Sequence, residues 1–448
     1  MSFEWLNTTL GEICGAQGGA IQTGPFGSQL HTSDYKELGI PVVMPTNISE
    51  GGIDEGGIAR IDSFDVERLS QHKLRIGDIV FSRRGDVTKS ALVRPHEVGW
   101  LCGTGCLKVR LGDETIADAK FISYCLRLPE TKEWLIRHAV GATMPNLNTG
   151  ILSAVPINLP PLKAQLSIAA TLGALDDRIT LLRETNTTLE AIAQALFKSW
   201  FIDFDPVRAK AEGLEPGGMD AVTAALFPDS FEESELGLVP KSWKTVPFTE
   251  TIVVIGGGTP KTSVADYWGG DIPWFSVVDA PKKSDVFVID TEKHITAAGL
   301  NNSATKLLPA GTTIISARGT VGRLALVGRN MAMNQSCYGL CGRAGDSYFT
   351  YFNTYRLVES LKQRAHGSVF DTITRDTLAG VSIVYPSERI ICEFETTLSP
   401  MMERIKENLK KAQTLTQLRD ALLPRLISGK LRLPEVEAAI ETMLSEAV

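Results

Sequence analysis

Polar side chains that can hydrogen-bond to base edges or phosphates gather in three segments of the first half of the chain. The segments are IQTGPFGSQ, SRRGDVTKS and TMPNLN. Arginine, lysine, asparagine and glutamine suit base edges, whereas serine, threonine and main-chain amides suit phosphates. The candidate residues are Gln22, Thr23, Ser28, Gln29, Arg83, Arg84, Lys89, Thr143, Asn146 and Asn148. Their types and turn-rich surroundings favour contacts with a nucleic acid.

The corresponding segments of the second half carry a second group of the same residue types. Its members are Thr259, Lys261, Thr262, Arg318, Arg323, Ser368, Thr372 and Arg375. The two groups differ in detail, so we expect the two halves to recognise different sequences.

Arg84 and Arg318 occupy equivalent positions in the two halves. That equivalence indicates a shared role, which is either anchoring a phosphate or a structural contact that closes the turn between two strands. A residue that reads a base should differ between the halves. Arg83 stands opposite Ala317, and Lys89 stands opposite a different basic residue, so these two are the better candidates for specificity.

Motifs typical of catalysis are absent from the sequence. No G-x-x-x-x-G-K-[ST] loop, strand-borne G-x-G-x-x-G, G-x-S-x-G or H-E-x-x-H occurs. An adenine methyltransferase tetrad is also missing, since NLPPL lacks the aromatic residue. Asp118, Glu130 and Lys132 could suggest a nuclease, but they lie in a polar helix-like run and are better interpreted as surface charge. We expect a binding protein without a catalytic or metal site.

The cysteines fit that expectation. Two C-x3-C pairs, Cys102/Cys106 and Cys337/Cys341, lie in apolar strand-like segments. Zinc sites more often have a two-residue gap and further cysteine or histidine ligands nearby. Reduced core cysteines are the favoured interpretation.

The chain is an internal repeat with a long period. An offset of 226 residues carries Pro160 onto Pro386 and Arg178-Ile179 onto Arg404-Ile405. Further upstream, LRIGDIVFSRRGDV corresponds to LPAGTTIISARGTV. Each repeat consists of short β-branched runs between turns, followed by one long helical segment.

The helical segments carry a coiled-coil seam. In the first, apolar residues from Ile168 to Trp200 alternate steps of four and three, which is the 3.5-residue repeat of a coiled coil. Asn186 falls on this seam, where it either sets the register or sits at an edge in water. Pro400 and Pro424 predict a break or kink near each end of the second segment.

These patterns predict an α+β fold with two mixed, mainly β domains and two long antiparallel coiled-coil helices related by a pseudo-twofold. The predicted parts are a first globular domain (1–159), a first helical region (160–202), an acidic linker (203–240), a second globular domain (241–385), a second helical region (386–433) and a C-terminal tail (434–448).

The net charge of −7 does not exclude a nucleic-acid partner. Nine acidic and two basic residues lie between Asp203 and Pro240, so the remainder is balanced and can hold a basic face. No apolar run is long enough to span a bilayer, and no signal-peptide pattern opens the chain. We expect a cytoplasmic protein.

Four aromatic residues close the first helical region: Phe197, Trp200, Phe201 and Phe204. They are too many for an exposed helix end. Either they bind a partner protein or they pack inside the joint between the helix and a globular domain.

Three segments resemble the specificity subunit of type I restriction-modification systems: PPLKAQLSIAATLGALDDRI, LEAIAQALFKSWFIDFDPV and LRDALLPRLISGKLRL. The resemblance covers essentially the whole chain. It implies two target recognition domains, a bipartite double-stranded DNA site with an unspecified gap, and two methyltransferase subunits bound along the helices. It also implies two restriction/translocase subunits in the full complex. S-adenosylmethionine, ATP and Mg²⁺ would then belong to those partners, and this chain would need no cofactor.

Two other readings compete with this one. A coiled-coil scaffold with two protein-binding domains explains the helices but not the two divergent β domains. A free-standing nuclease or methylase must explain the absent motifs.

Overall fold

The computed structural model describes residues 5–49, 52–141, 143–281, 285–364 and 372–431. The chain forms two compact units. Unit 1 comprises Met1–Asp177 and Thr416–Val448, and unit 2 comprises Arg178–Leu415. Both boundaries between the units fall inside long helices, so each long helix contributes residues to both units.

The described residues of unit 1 form two four-stranded sheets and two small two-stranded ones. Its strands are β1 (Leu6–Thr9), β2 (Gly18–Thr23), β3 (Tyr35–Lys36), β4 (Ile40–Val43), β5 (Ile48–Ser49), β6 (Gly52–Ile53), β7 (Ala59–Ile61), β8 (Ile79–Ser82), β9 (Ser90–Leu92), β10 (Leu101–Cys102), β11 (Cys106–Gly112) and β12 (Pro156–Leu159). The larger sheets have the orders β2-β11-β8-β9 and β10-β4-β7-β3, and β1 pairs with β12.

Within residues 5–177, the described part of the chain forms five short α-helices and the start of a long one. They are α1 (Leu10–Ala16), α2 (Ser63–Arg68), α3 (Ala119–Cys125), α4 (Pro129–His138), α5 (Thr149–Ser153) and the long helix α6 (Leu162–Phe201). Pro129 separates α3 from α4, because proline is favoured in a first helical turn and disfavoured further along.

Unit 2 repeats this plan. Its strands are β13 (Phe231–Ser234), β14 (Gly237–Pro240), β15 (Lys244–Pro247), β16 (Ile252–Gly256), β17 (Trp268–Phe275), β18 (Phe287–Val288), β19 (His294–Ile295), β20 (Thr313–Ser316), β21 (Leu324–Val327), β22 (Ala332–Met333), β23 (Cys337–Gly342) and β24 (Ser382–Tyr385). The order β16-β23-β20-β21 matches β2-β11-β8-β9, and β15 pairs with β24 as β1 pairs with β12.

The helices of unit 2 include the second long one. They are α7 (Asp205–Ala211), α8 (Ala221–Leu226), α9 (Phe248–Thr251), α10 (Ala297–Asn301), α11 (Ser347–Arg364), α12 (Arg375–Ala379) and α13 (Glu388–Ile427). With these elements, the predicted mixed α and β fold with two repeated domains and two long helices is confirmed.

Within unit 2 the two long helices run antiparallel. Ile179 and Leu182 of α6 cluster with Ala412 of α13, whereas Phe197, near the end of α6, packs its ring on Phe394 near the start of α13. The residue number along α13 falls as the number along α6 rises, which fixes the antiparallel direction.

Neither of the two prolines at which a break or kink was expected interrupts the helix. Helix α13 continues without interruption through Pro400 and Pro424. A proline removes one main-chain hydrogen bond, and the apolar face on either side holds the helix together because Leu398, Met402 and Leu426 are buried.

The acidic segment 203–240 is folded. It contains α7, α8 and the hairpin of β13 and β14. Val207 and Phe227 of this segment are buried in the largest core cluster of unit 2. The segment also contains apolar residues between the acidic ones, and the burial of these apolar side chains stabilises its fold.

Candidate nucleic-acid interface

Three other loops of unit 1 converge beside the turn that contains Arg83 and Arg84. The main-chain N–H of Arg83 donates to the Gly105 carbonyl at 2.8 Å, and its own carbonyl accepts from Leu147 N–H at 2.9 Å. Arg84 forms a β-bridge with Asn146, and the Gly24 N–H donates to the Cys106 carbonyl. Three of the segments predicted from sequence therefore meet at one edge of the unit.

Unit 2 builds the same arrangement from equivalent residues. The Ala317 N–H donates to the Ser336 carbonyl at 2.7 Å, and the Ala317 carbonyl accepts from Ile373 N–H at 2.9 Å. Arg318 forms a β-bridge with Thr372. The offset of 226 residues carries Asn146 onto Thr372, so the second bridge repeats the first.

A buried serine shapes each arginine turn. The Ser82 hydroxyl donates to the Arg84 carbonyl at 2.8 Å, and the Ser316 hydroxyl donates to the Thr320 carbonyl at 2.6 Å. The glycine after each arginine, Gly85 or Gly319, has a φ of 77°, a conformation that disfavours other residues. These contacts fix the direction of the turn and leave the arginine side chain unconstrained.

Arg84 and Arg318 are exposed. Neither side chain makes a hydrogen bond or ion pair with another residue of the described ranges. The turn is closed by main-chain bonds, which any residue could make. Of the two roles left open by the sequence, the geometry therefore favours an exposed anchor over a structural contact.

The neighbours of Arg84 are partly engaged within the protein. Arg83 Nε donates to Asn146 Oδ1 at 3.2 Å, and Lys89 Nζ lies 4.0 Å from a carboxylate oxygen of Asp86. Partial burial works to raise the pKa of Asp86, but hydrogen bonds from Thr88 and the charge of Lys89 outweigh it and leave that pKa below its ordinary value. The turn thus holds one anion among three basic side chains.

The remaining candidates divide by exposure. The exposed ones are Gln22, Ser28, Thr143, Asn148, Thr259, Lys261, Thr262, Arg323, Thr372 and Arg375. Thr23 and Gln29 are half-buried, like Arg83, Lys89 and Asn146. Ser368 lies outside the described residues.

Some of the candidates also have local structural roles. Asn148 Oδ1 accepts from the Ile151 N–H and so caps α5. Gln29 Oε1 accepts from the Phe26 N–H. Arg375 Nη2 donates to the Val254 carbonyl at 3.4 Å. These contacts position the loops. Because its side chain caps α5, Asn148 is a weaker candidate for contacting a base than its exposure suggests.

Sequence reasoning missed one loop in each unit. Residues 103–105 accept the Arg83 N–H, and residues 334–336 accept the Ala317 N–H. Exposed Gln335 receives a hydrogen bond from the Thr259 hydroxyl. The alignment of the two repeats could have revealed these loops, because NQS stands in the second half where the first has GTG.

The aromatic set at the end of α6 is internal, which corrects the expectation that it forms a partner surface. Phe197, Trp200, Phe201 and Phe204 are between 3% and 7% exposed. Their rings pack on residues of unit 2 that are distant in sequence, including Phe394 for the first three and Trp243 for Phe204. Of the two alternatives, the structure supports packing at the joint.

The cysteine pairs lie mostly in the protein interior. In the described part of the chain, no group of three or more histidine, cysteine, aspartate or glutamate residues is arranged to hold a metal ion. Cys102, Cys106 and Cys337 are buried. Burial raises the pKa of the Cys102 thiol to about 12, which keeps it protonated. Among the described helices, none combines the length and apolar character that a bilayer crossing requires.

The family described as "Type I restriction modification DNA specificity domain" matches residues 4–191 and 240–412. The two matched segments make up most of the chain, which therefore belongs to this family. It is a DNA-recognition subunit and not a catalytic one, as the missing catalytic motifs had predicted.

Individual relatives agree with the family. The HindI specificity subunit of Haemophilus influenzae is 29% identical over 356 residues, which cover 70% of this chain and 77% of the relative. A putative type I specificity subunit of Methanocaldococcus jannaschii is 21% identical over 407 residues, 88% of each chain. The crystal structure of a type I restriction-modification S subunit from M. genitalium has a TM-score of 0.56 at 16% identity, covers 95% of this chain and 96% of its own, and shares the fold.

Proposed function

We propose that the two equivalent loop clusters read the two halves of a bipartite DNA site. Unit 1 would read one half through the cluster around Arg83 and Arg84, and unit 2 the other through the cluster around Arg318. The observation that carries this proposal is the repeated turn, in which the same main-chain bonds hold an exposed arginine in both units.

Within each cluster, the equivalent and the divergent residues have different roles. Arg84 and Arg318 are suited to phosphates, which carry no sequence information and can be met in the same way twice. Arg83, opposite Ala317, and Lys89, opposite Arg323, are suited to bases, because an arginine or lysine can pair with the acceptors of guanine in the major groove. Gln335 joins the second cluster as a candidate that the first lacks.

The long helices would set the distance between the half-sites. Helix α6 has 40 residues, which at about 1.5 Å per residue gives a rod of roughly 60 Å. Half-sites about 34 Å apart present the same groove on one face of the duplex. A helical spacer of fixed length therefore suits a bipartite site with a fixed gap.

The catalytic steps would belong to partner subunits. We infer two methyltransferase subunits and two restriction/translocase subunits, which would supply S-adenosylmethionine, ATP and Mg²⁺. For the methyltransferase we favour an exposed face of α6 over the aromatic set. Leu181 and Ile192 are 51% and 48% exposed, and their spacing of eleven residues, or three helical turns, places them on one face. A cytoplasmic location remains a prediction.

Specificity measurements on the assembled methyltransferase test the proposal. Arg83→Ala should relax the base preference at one position of one half-site, with about 1–3 kcal/mol less discrimination. The other half-site should be read as before. An equal loss of affinity on all DNA sequences would mean that Arg83 contacts a phosphate. Unchanged specificity would mean that the turn is not part of the DNA interface.

A further inference from the structure

Two asparagine side chains meet inside the antiparallel helix pair of unit 2. Asn408 Nδ2 donates to Asn186 Oδ1 at 2.9 Å, and Asn186 Nδ2 donates to the Ile405 carbonyl at 3.1 Å. The two residues are 2% and 1% exposed. Asn408 Oδ1 is buried without a hydrogen-bond partner among the described residues, but the other three polar side-chain atoms of the pair are hydrogen-bonded. A buried amide is costly when its hydrogen bonds are lost, so each asparagine depends on its position opposite the other.

The internal repeat shows that this contact has an equivalent that is chemically different. The offset of 226 residues carries Asn186 onto Ala412 and Asn408 onto Leu182. Leu182 and Ala412 themselves pack together in unit 2. The helix pair therefore contains two geometrically equivalent layers, of which one holds two amides and the other holds two apolar side chains.

Pairing of like helices would break this match. If α6 paired with α6 of a second copy in the same geometry, Asn186 of each copy would face Leu182 of the other. If α13 paired with its own copy, Asn408 would face Ala412 in both layers. Either arrangement buries two asparagine side chains without an amide partner. In the pairing of α6 with α13, each asparagine has the other as its partner.

We propose that the Asn186–Asn408 pair selects the pairing of α6 with α13 over the pairing of either helix with its own copy in a second chain. One polar residue at a seam position can specify pairing in coiled coils, because the wrong arrangement leaves it buried and unpaired. Two near-duplicate helices in one sequence need such distinctions, and the hydrogen bond of Arg419 to Asp176 in unit 1 is a second contact that only the pairing of α6 with α13 provides.

The consequence for recognition, which rests on the proposed function, is that each helix pair serves two different recognition domains of one chain. Pairing of like helices would instead bring together two copies of one domain. The experiment measures helix pairing alone, so it can fail or succeed independently of whether the loops read DNA.

The test compares three full-length chains. The first is the wild type. The second is a symmetrised chain with Asn186→Ala and Asn408→Leu, in which both layers become leucine with alanine and no longer distinguish one helix pairing from another. The third is a transposed chain that adds Leu182→Asn and Ala412→Asn to those two changes and so moves the amide pair to the equivalent layer.

Each chain is prepared with two different affinity tags, and the two tagged forms are unfolded and refolded together. One tag is captured and the other is quantified, with circular dichroism and denaturant unfolding as the check of folding. Exchange that pairs α6 of one copy with α13 of another is open to all three chains. An excess over the wild type therefore reports pairing of like helices.

We expect several-fold more mixed-tag complex for the symmetrised chain than for the wild type, and a return to the wild-type amount for the transposed chain. A symmetrised chain that fails to fold while the transposed chain folds also supports the proposal, because both share the changes at 186 and 408. A symmetrised chain that mixes no more than the wild type overturns it. So does a transposed chain that mixes like the symmetrised one or does not fold.

Discussion

Arg419 Nη1 donates a hydrogen bond to Asp176 Oδ1 at 2.7 Å in unit 1. The repeat carries this charged pair onto Ala193 and Met402, which are fully buried in unit 2. Tyr124 and Arg127 complete the polar site, since each donates to the other carboxylate oxygen of Asp176. The two long helices are therefore joined by charge in one unit and by apolar packing in the other.

Replacing Arg419 tests the strength of that joint. Burial works to raise the pKa of Asp176, but Arg127, Arg419 and Tyr124 together outweigh it and hold that pKa below its ordinary value. Arg419→Ala should lower the free energy of unfolding by about 1–3 kcal/mol, because a partly buried carboxylate loses a partner. Denaturant unfolding measures the loss, and a cycle with Asp176→Asn isolates the coupling between the two residues.

The same pair has a pH signature. A carboxyl whose pKa is lowered by folding stabilises the protein fully above its unfolded pKa of about 3.9, and this contribution disappears as the pH falls through the lower folded value. The difference between wild type and Arg419→Ala should therefore be constant near neutral pH and shrink under acid conditions. A difference that grows as the pH falls would contradict this assignment.

Glu395 should show the opposite dependence. It accepts the N–H groups of Phe349 and Tyr348, but burial raises its pKa to about 7. A carboxyl whose pKa is raised by folding costs stability progressively as the pH rises from about 4.3 to the folded value. Glu395→Gln should therefore gain stability relative to the wild type across this range, by up to about 3 kcal/mol.

Unfolding curves at pH 4.5 and 8 check the Glu395 prediction. Glu403→Gln is the matched control, because Glu403 lies on the same helix and its side chain is 52% exposed. The control should show little change between the two pH values. A Glu395→Gln effect that does not vary with pH would mean that burial does not raise the pKa of the Glu395 carboxyl.

The aromatic set defines a third prediction. Trp200→Ala should destabilise the chain by about 3–5 kcal/mol, since it leaves a cavity where the ring now contacts Phe227 and Phe394. Leu181→Ala, on the exposed face of the same helix, should change the free energy of unfolding by about 0.5 kcal/mol or less. If Leu181 contributes to methyltransferase docking, only that variant should lose the partner while it remains stable.

The anchoring arginines define a fourth prediction. Arg84→Ala and Arg318→Ala should each weaken DNA binding by the assembled methyltransferase about equally on all sequences. Each should lower the slope of log affinity against log salt by about one, because each removes one phosphate contact. Arg404→Ala, an exposed change on α13, is the charge-matched control. If Arg84→Ala changed the sequence preference and left the salt slope unchanged, Arg84 would be the residue that reads bases and Arg83 the residue that binds phosphate.

The repeat and the helices could be predicted because their signals are local and periodic. The seam from Ile168 to Trp200 and the near-identity of the two arginine turns are visible without knowledge of the partners. The convergence of the loops was not predicted, because the bridges of Arg84 with Asn146 and of Arg318 with Thr372 join segments that are far apart in the sequence.

The remainder depended on contacts between distant residues. Asn186 could not be assigned to the seam interior because its partner, Asn408, is 222 residues away. The aromatic set looked available for a partner because Phe349, Phe352 and Phe394, which bury Phe197, follow much later in the chain. The fold of the acidic segment was hidden for the same reason, as Phe227 packs on Trp200 and Trp243, which lie outside the segment.

Mapping of N6-methyladenine at single-molecule resolution tests the central claim most directly, in DNA from cells that express this chain with its methyltransferase. The account predicts two short motifs separated by a fixed gap and methylated on opposite strands. Arg83→Ala should then relax one motif and leave the other and the gap unchanged. A single continuous motif would contradict the reading of two half-sites by two units.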